Sequence, residues 1–176
     1  FLRNIGRRFD WYSADNSKEW AERGREKESN SHPTGQEQIY CSEFPAFWEM
    51  PGYSDENPLP PQEYTNGASV KEYVDHPKTL GGQFDVIMVD GRFRRRCLQV
   101  AAEVLAPHGI AILHDADRAH YHSSLSLYHH VQFLETGALP GMQQRSYVAL
   151  ASLNDGALIA ELTEKFRGHG KNLQTI

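Results

Sequence analysis

The sequence predicts an α/β fold: a mostly parallel sheet with helices on both faces and an antiparallel C-terminal edge. Three observations carry this. Residues 84 to 118, F-D-V-I-M-V-D-G-R-F-R-R-R-C-L-Q-V-A-A-E-V-L-A-P-H-G-I-A-I-L-H-D-A-D-R, hold two apolar strands joined by a helix, the pattern of a right-handed parallel crossover. Strand and helix patterns alternate from residue 9 to 130, the order that builds a parallel sheet. The last two strand patterns follow each other with no helix between them, so an antiparallel pair closes the sheet.

Phe1, Leu2 and Ile5 read as one face of a helix already under way, stopping near Gly6. The sequence is therefore expected to lack an N-terminal segment, first strand included. Phe9 to Ala14 reads as a short strand ending at Asp15. Asn16 or Ser17 caps a helix from Lys18 to about Glu28, with Glu19 placed as in a capping box. Ser29 to Gln38 is turn-rich, and Ile39 to Phe44 reads as a strand. Residues 45 to 67 carry Pro45, Pro51, Pro58, Pro60 and Pro61, too many for a plain connector, so they form an inserted loop or lid.

A short helix from Ser69 to about His76 precedes Pro77 and the Gly81–Gly82 turn. Then come a buried strand (Val86 to Val89), a helix ending near Pro107 and Gly109, and a second buried strand (Ile110 to Leu113). Arg118 to His130 reads as helical. Val131 to Leu134 and Ser146 to Ala151 are the closing strands, and Leu158, Ile159, Leu162 and Phe166 mark a last helix before a tail frayed from Gly168. No repeats occur. Residues 1–152 form the α/β domain, with 45–67 inserted, and 153–176 a C-terminal helix and tail.

At 176 residues, 39% apolar and 23% charged, the chain suits a globular domain with a core of its own. A formal net charge of -5 argues against general nucleic-acid binding. No apolar run approaches the ~20 residues that span a bilayer, and no leader pattern is visible. These features point to a cytoplasmic protein, with Cys41 and Cys97 as reduced, buried thiols.

In open parallel sheets ligands bind at the carboxyl ends of strands, and here those ends carry Asp90, His114, Asp115 and Asp117. A carboxylate pushed to the end of a buried strand needs a partner. For Asp90 that is a cofactor ammonium, a metal ion or Arg92. His114 or Asp115 is placed to act as a general base, while Asp115 and Asp117 equally suit a turn or a helix cap. Arg118 and Tyr121 either bind an anionic substrate group or pair with Asp117 and pack. The run Arg92, Arg94, Arg95, Arg96 lies at a helix start, where cations are disfavoured. A solvated face is the favoured reading of that run, ahead of anion contact or local pairing. His120, His122, His129 and His130 reflect a His-rich composition rather than a structural metal. Trp48, Tyr53 and Tyr64 line a pocket or anchor the insert.

The order Y-S-A-D-N-S-K-E-W, F-D-V-I-M-V-D-G-R, L-x-P-x-G-I-A-I-L and the strand–loop–strand finish resembles class I S-adenosylmethionine-dependent methyltransferases. It looks most like small-molecule O-methyltransferase-like members with a D-G-R-x-R-x-x-C segment (Asp90, Gly91, Arg92, Arg94, Cys97) and a D-x-D-R-x-x-Y segment (Asp115, Asp117, Arg118, Tyr121). The resemblance covers roughly residues 1 to 152. It implies a Rossmann-like sheet, S-adenosylmethionine as cofactor, and methyl transfer to a small-molecule acceptor, with oxygen as the acceptor atom. Asp15 would then hold the cofactor ribose, unless it is only a helix cap. Asp90 would border cofactor and substrate, and His114 or Asp115 would activate the nucleophile. Arg92, Arg118 and Tyr121 would face the substrate.

Two departures stand out. The family's glycine-rich loop after the first strand is absent. The family's Asp-Asn metal pattern is His114-Asp115 here, so a divalent metal is admitted but not favoured. A homodimer is compatible with the sequence. Two other readings stay open: an inactive methyltransferase-like binding module, and another α/β enzyme using a nucleotide cofactor.

Overall fold

A computed structural model describes residues 10–29, 37–43, 68–137 and 146–170. The expected helix end before Phe9 and the Pro-rich insert, with Trp48, Tyr53 and Tyr64, lie outside the described residues. The chain divides into two compact units, Phe1–His76 and Pro77–Ile176.

The first unit contains β1 (Trp11–Asp15), α1 (Lys18–Ser29) and β2 (Glu37–Cys41). The two strands are parallel, in register from Trp11 with Glu37 to Asp15 with Cys41. The turn into α1 is held locally: Ser17 N–H donates to Asp15 Oδ1 at 2.8 Å, and Trp20 N–H donates to Ser17 Oγ at 3.4 Å. Ser17 is thus the cap, and Asp15 closes the turn before it. Ala21 is the buried seat of α1. A longer side chain at Gly24 would meet Ile39 of β2, whose Cδ1 lies 3.0 Å from the position of a Cβ.

α2 (Ala68–Thr79) buries Val70, Tyr73 and Val74 at helical spacing. It runs past the expected end at His76 and takes Pro77 into its last turn. Proline's own φ is helical, so its presence removes one amide donor without forbidding that turn.

The second unit holds β3 (Phe84–Val89), α3 (Arg94–Val104), β4 (Leu105–His114), a single 3-10 turn (Ala119–Tyr121), α4 (His122–Leu125), β5 (His130–Gly137), β6 (Ser146–Ser152) and α5 (Gly156–Gly170). Its sheet has the order β3-β4-β6-β5. β3 and β4 are parallel, while β6 is antiparallel to both β4 and β5. β5 therefore runs with β3 and β4, and β6 alone is reversed. The described strands make two sheets where the sequence suggested one, and the reversed strand lies inside the sheet rather than at its edge.

Alternation along the strands sends side chains to two cores. Leu98, Ala111, Leu113, Ala149 and Ala151 share one, with Leu125 and Tyr128. Ile110, Leu150 and Leu134 share the other with Ile159 of α5. Helices thus cover both faces of this sheet.

Four expectations change here. β3 is not a buried strand: Val86 is 47% and Met88 58% exposed, because β3 is the sheet edge and α5 packs over β5 and β6. β4 begins at Leu105, before Pro107 and Gly109. Its pairing with β6 covers only Ala111 to His114, so Pro107 removes no donor from that ladder. A Cβ at Gly109 would lie 2.8 Å from Phe84 O, so the strands approach there as only glycine permits. The Arg118–His130 helix shrinks to the 3-10 turn and α4, because Tyr128 is buried with its hydroxyl donating to Leu98 O at 2.8 Å, and His130 already pairs with Ser152. Finally, α5 continues to Gly170 instead of fraying at Gly168.

Candidate functional site at the ends of β3 and β4

β3 ends at Val89 and β4 at His114, in neighbouring parallel strands, so Asp90, His114 and Asp115 emerge side by side. The side chain that joins them is Arg94, the first residue of α3 and only 11% exposed. Its Nε donates to Gly91 O at 3.0 Å. Nη1 donates to His114 O at 2.7 Å and Asp115 Oδ2 at 3.1 Å. Nη2 donates to Asp90 O at 3.0 Å and lies 3.2 Å from Asp90 Oδ1. A guanidinium has five N–H groups; four hydrogen bonds go to acceptors at the two strand ends and the turn after β3, and Nη2 also lies within ion-pair distance of the Asp90 carboxylate. The same group lies 5.5 Å from the centroid of the Tyr121 ring. Arg94 is a clamp whose donors are turned to the protein itself.

Sequence reasoning offered Arg92, beside a cofactor ammonium or a metal ion, as a partner of Asp90 and favoured a solvated face for the arginine run over pairing with local acids, so it did not single out Arg94. Residue 94 opens α3, and a turn with Phe93 in the left-handed region brings it back onto Asp90, while Arg92 lies in the exposed turn itself. Cys97 closes that turn, its Sγ donating to Arg92 O at 3.4 Å. Cys97 is half-buried rather than buried, yet crowding of its sulfur pushes the thiol up to about 12. Cys41 is likewise half-buried, and its thiol is raised by partial burial and then by Glu43 and Asp15.

His114 turns Nδ1 toward the two carboxylates, 2.8 Å from Asp90 Oδ1 and 3.3 Å from Asp115 Oδ1. Nδ1 nevertheless has no aligned hydrogen bond, so these are electrostatic contacts whose separation is short and whose angles fall short. The ring's opposite nitrogen, Nε2, necessarily faces away from the carboxylates, and the side chain is 37% exposed. Asp115 also meets Arg118, whose Nη2 is 3.0 Å from Oδ2. Arg118 N–H donates to Asp115 O at 3.3 Å, and Tyr121 N–H to Arg118 O at 3.0 Å, which carries the chain into the 3-10 turn. Asp117 is exposed beside this network.

The backbone is unusual at the same place. The only non-glycine residues with positive φ among the described residues are Phe93, at 53°, and Asp115, at 52°. They stand immediately before Arg94 and immediately after β4. Left-handed backbone costs a side-chain-bearing residue about 1 kcal/mol or more and persists where surrounding contacts over-determine it.

Of the sequence-predicted residues, the structure brings together Asp90, His114, Asp115, Arg118 and Tyr121. Asp15 belongs to the first unit. Its Oδ1 holds the α1 turn, and its other oxygen has no hydrogen bond among the described residues. The remaining oxygen fits a ribose hydroxyl in part, while the bonded one closes the turn before the Ser17 cap. For a divalent metal the fit is poor. The Asp90 and Asp115 oxygens face His114, Arg94 and Arg118, and no cluster of three suitable ligands occurs among the described residues. His120, His122, His129 and His130 form no such cluster either: His122 meets Ala116 O and His129 meets Leu153 O.

No family model and no curated protein matches the chain. Solved structures give weak similarities. A methyltransferase-like protein from Silicibacter pomeroyi DSS-3 has a TM-score of 0.48 and 17% identity, covering 85% of this chain and 72% of that one. A Thermoplasma acidophilum protein, titled a methyltransferase, has a TM-score of 0.48 and 13% identity, covering 84% of this chain. The CMeT domain of the citrinin polyketide synthase has the same TM-score and identity and covers 88%. The chain spans 58% and 42% of these last two.

Proposed function

We propose that the ends of β3 and β4 form the acceptor side of an S-adenosylmethionine-dependent methyl-transfer site, with oxygen as the acceptor atom and His114 as the base. The carrying observation is the convergence of Asp90, His114 and Asp115 on one buried arginine, with two left-handed residues at the same point. The sequence resemblance supplies the reaction class. S-adenosylmethionine, when bound, supplies an electrophilic methyl group on a sulfonium.

The chain's own part is to orient the acceptor and take its proton. Asp115 has its Oδ2 committed to Arg94 and Arg118, which leaves it an orienting role. With its proton on Nδ1, toward the carboxylates, the imidazole keeps the Nε2 lone pair for an acceptor hydroxyl. Nε2 would accept the proton of the acceptor hydroxyl. Alignment of the two reactants contributes most of the acceleration in such a transfer. Asp15 is assigned to the cofactor ribose through its uncommitted oxygen.

Calorimetric titration of S-adenosylhomocysteine, with and without magnesium, tests this reading. Micromolar binding independent of magnesium is the expected result. No binding would overturn the reading in favour of an inactive module or a different nucleotide cofactor.

A further inference from the structure

Asp90 follows β3 directly and its side chain is 49% exposed, so water could solvate the carboxylate without help from the protein. The carboxylate is nevertheless turned onto two neighbours. Its Oδ1 lies 3.2 Å from Arg94 Nη2 and 2.8 Å from His114 Nδ1. One oxygen thus stands between a guanidinium and an imidazole. Half-exposed ion pairs add little to stability, so a salt bridge to Arg94 by itself does not account for the arrangement. The imidazole does: its Nδ1 is shut off from water, and no solvent oxygen competes with Asp90 for a proton there.

The backbone fixes where these groups stand. Val89 pairs with Leu113 in the parallel ladder, so Asp90 and His114 leave neighbouring strands at matching positions. Arg94 then ties the two exits together: Nη2 donates to Asp90 O at 3.0 Å, and Nη1 to His114 O at 2.7 Å. A guanidinium is planar, with its nitrogens in fixed geometry. The same group therefore places the backbone of the carboxylate and that of the histidine. Asp115 is less suited to the same task. Its Oδ1 is 3.3 Å from His114 Nδ1, and its Oδ2 is shared by Arg94 and Arg118. Two cations draw on Asp115, while Arg94 alone draws on Asp90 among the described residues. The shorter and less neutralised contact to the ring is the one from Asp90.

We infer that Asp90 is a positioning residue for His114: it holds the proton of the neutral imidazole on Nδ1 and so keeps Nε2 free to accept another. The inference rests on the methyl-transfer reading for the source of that second proton, but not for the tautomer. Which ring nitrogen carries the proton is set by the contact its partner makes; without the carboxylate, either can carry it. A separation of 2.8 Å is that of a hydrogen bond. Its angle falls short in the empty site, as often happens before a ligand tightens such contacts.

Long-range nitrogen–proton correlation spectra of the isotope-labelled imidazole, recorded at alkaline pH where imidazole is neutral, distinguish the two tautomers. His114 of the wild type should be mostly protonated on Nδ1. Asp90→Ala should lower the ratio of Nδ1–H to Nε2–H by about tenfold, the scale of one lost charged hydrogen bond, and Asp115→Asn should lower it less. If Asp90→Ala does not fold, Asp90→Ser serves instead, its side chain too short to reach the ring. A wild-type proton on Nε2, or an unchanged ratio in Asp90→Ala, overturns the assignment; lost stability with an unchanged ratio would leave Asp90 a structural salt bridge only. A larger fall in Asp115→Asn than in Asp90→Ala gives the role to Asp115 and overturns it too. An unchanged ratio with tenfold weaker S-adenosylhomocysteine binding in Asp90→Ala would instead assign Asp90 to the cofactor. Wild-type failure to bind S-adenosylhomocysteine, with the Asp90-dependent tautomer intact, would refute the methyl-transfer reading alone.

Discussion

The Asp15 carboxylate at the end of β1 accepts from an amide two residues away, its one side-chain hydrogen bond among the described residues. Asp115 at the end of β4 meets Arg94, twenty-one residues earlier in sequence, and Arg118 and His114 beside it. Both are carboxylates where a strand hands over to a turn, and in sequence they look alike. The first is secured by local geometry and keeps one oxygen open. The second is one node of a network joining two strand ends, with its oxygens committed. An open carboxylate suits ligand contact, whereas a committed one suits the positioning of its neighbours.

The largest effect that would break this contrast is at the hub. Arg94→Met removes a charged hydrogen bond to Asp115, an ion-pair contact to Asp90 and bonds to three carbonyls, and should cost about 3 kcal/mol. Urea denaturation measures it, and a loss below about 1 kcal/mol would show that the network adds little to the fold. Asp115→Ala comes next, at about 2 kcal/mol, from the lost charged contacts and from placing alanine at φ 52°. Asp115→Asn should recover part of this, since asparagine tolerates left-handed backbone; equal losses in the two variants would assign the whole effect to charge.

Asp15→Ala should cost only about 1 kcal/mol, the value of a local cap contact, yet it should weaken S-adenosylhomocysteine binding. Unchanged affinity would leave Asp15 as a turn residue only.

The smallest effect is a control at the start of α5. The Leu158 amide, at 2.8 Å, and then His108 hold the Asp155 carboxyl below its ordinary range. A carboxyl depressed in the folded state contributes stability above its unfolded value, and loses it as pH falls through the folded value. Asp155→Asn should therefore flatten the acid side of a melting-temperature profile taken from about pH 7 to about pH 3, with little change at neutral pH. An unchanged acid limb would show that the contacts of Asp155 do not stabilise the fold.

Much of the second unit was legible because it is written locally. The β3–α3–β4 crossover follows from two apolar runs and a helical pattern between them, and α5 from Leu158, Ile159 and Leu162. The expected Arg118–His130 helix failed because strand pairing at His130 and the buried Tyr128 outweighed local preference. The edge position of β3, which exposes Val86 and Met88, is set by sheet order and cannot be read from its apolar composition.

By itself the sequence determined the element types, the parallel crossover, and which carboxylates and histidine stand at strand ends, because periodicity and side-chain chemistry are local properties. Tertiary structure decided which arginine of the run completes the site. Residues 92, 94, 95 and 96 carry the same charge, and it is residue 94 that folds back onto Asp90 across the turn after β3 while the parallel register of β3 and β4 sets His114 and Asp115 within its reach. That selection depends on distances across a sheet, to which the order of residues gives no direct access.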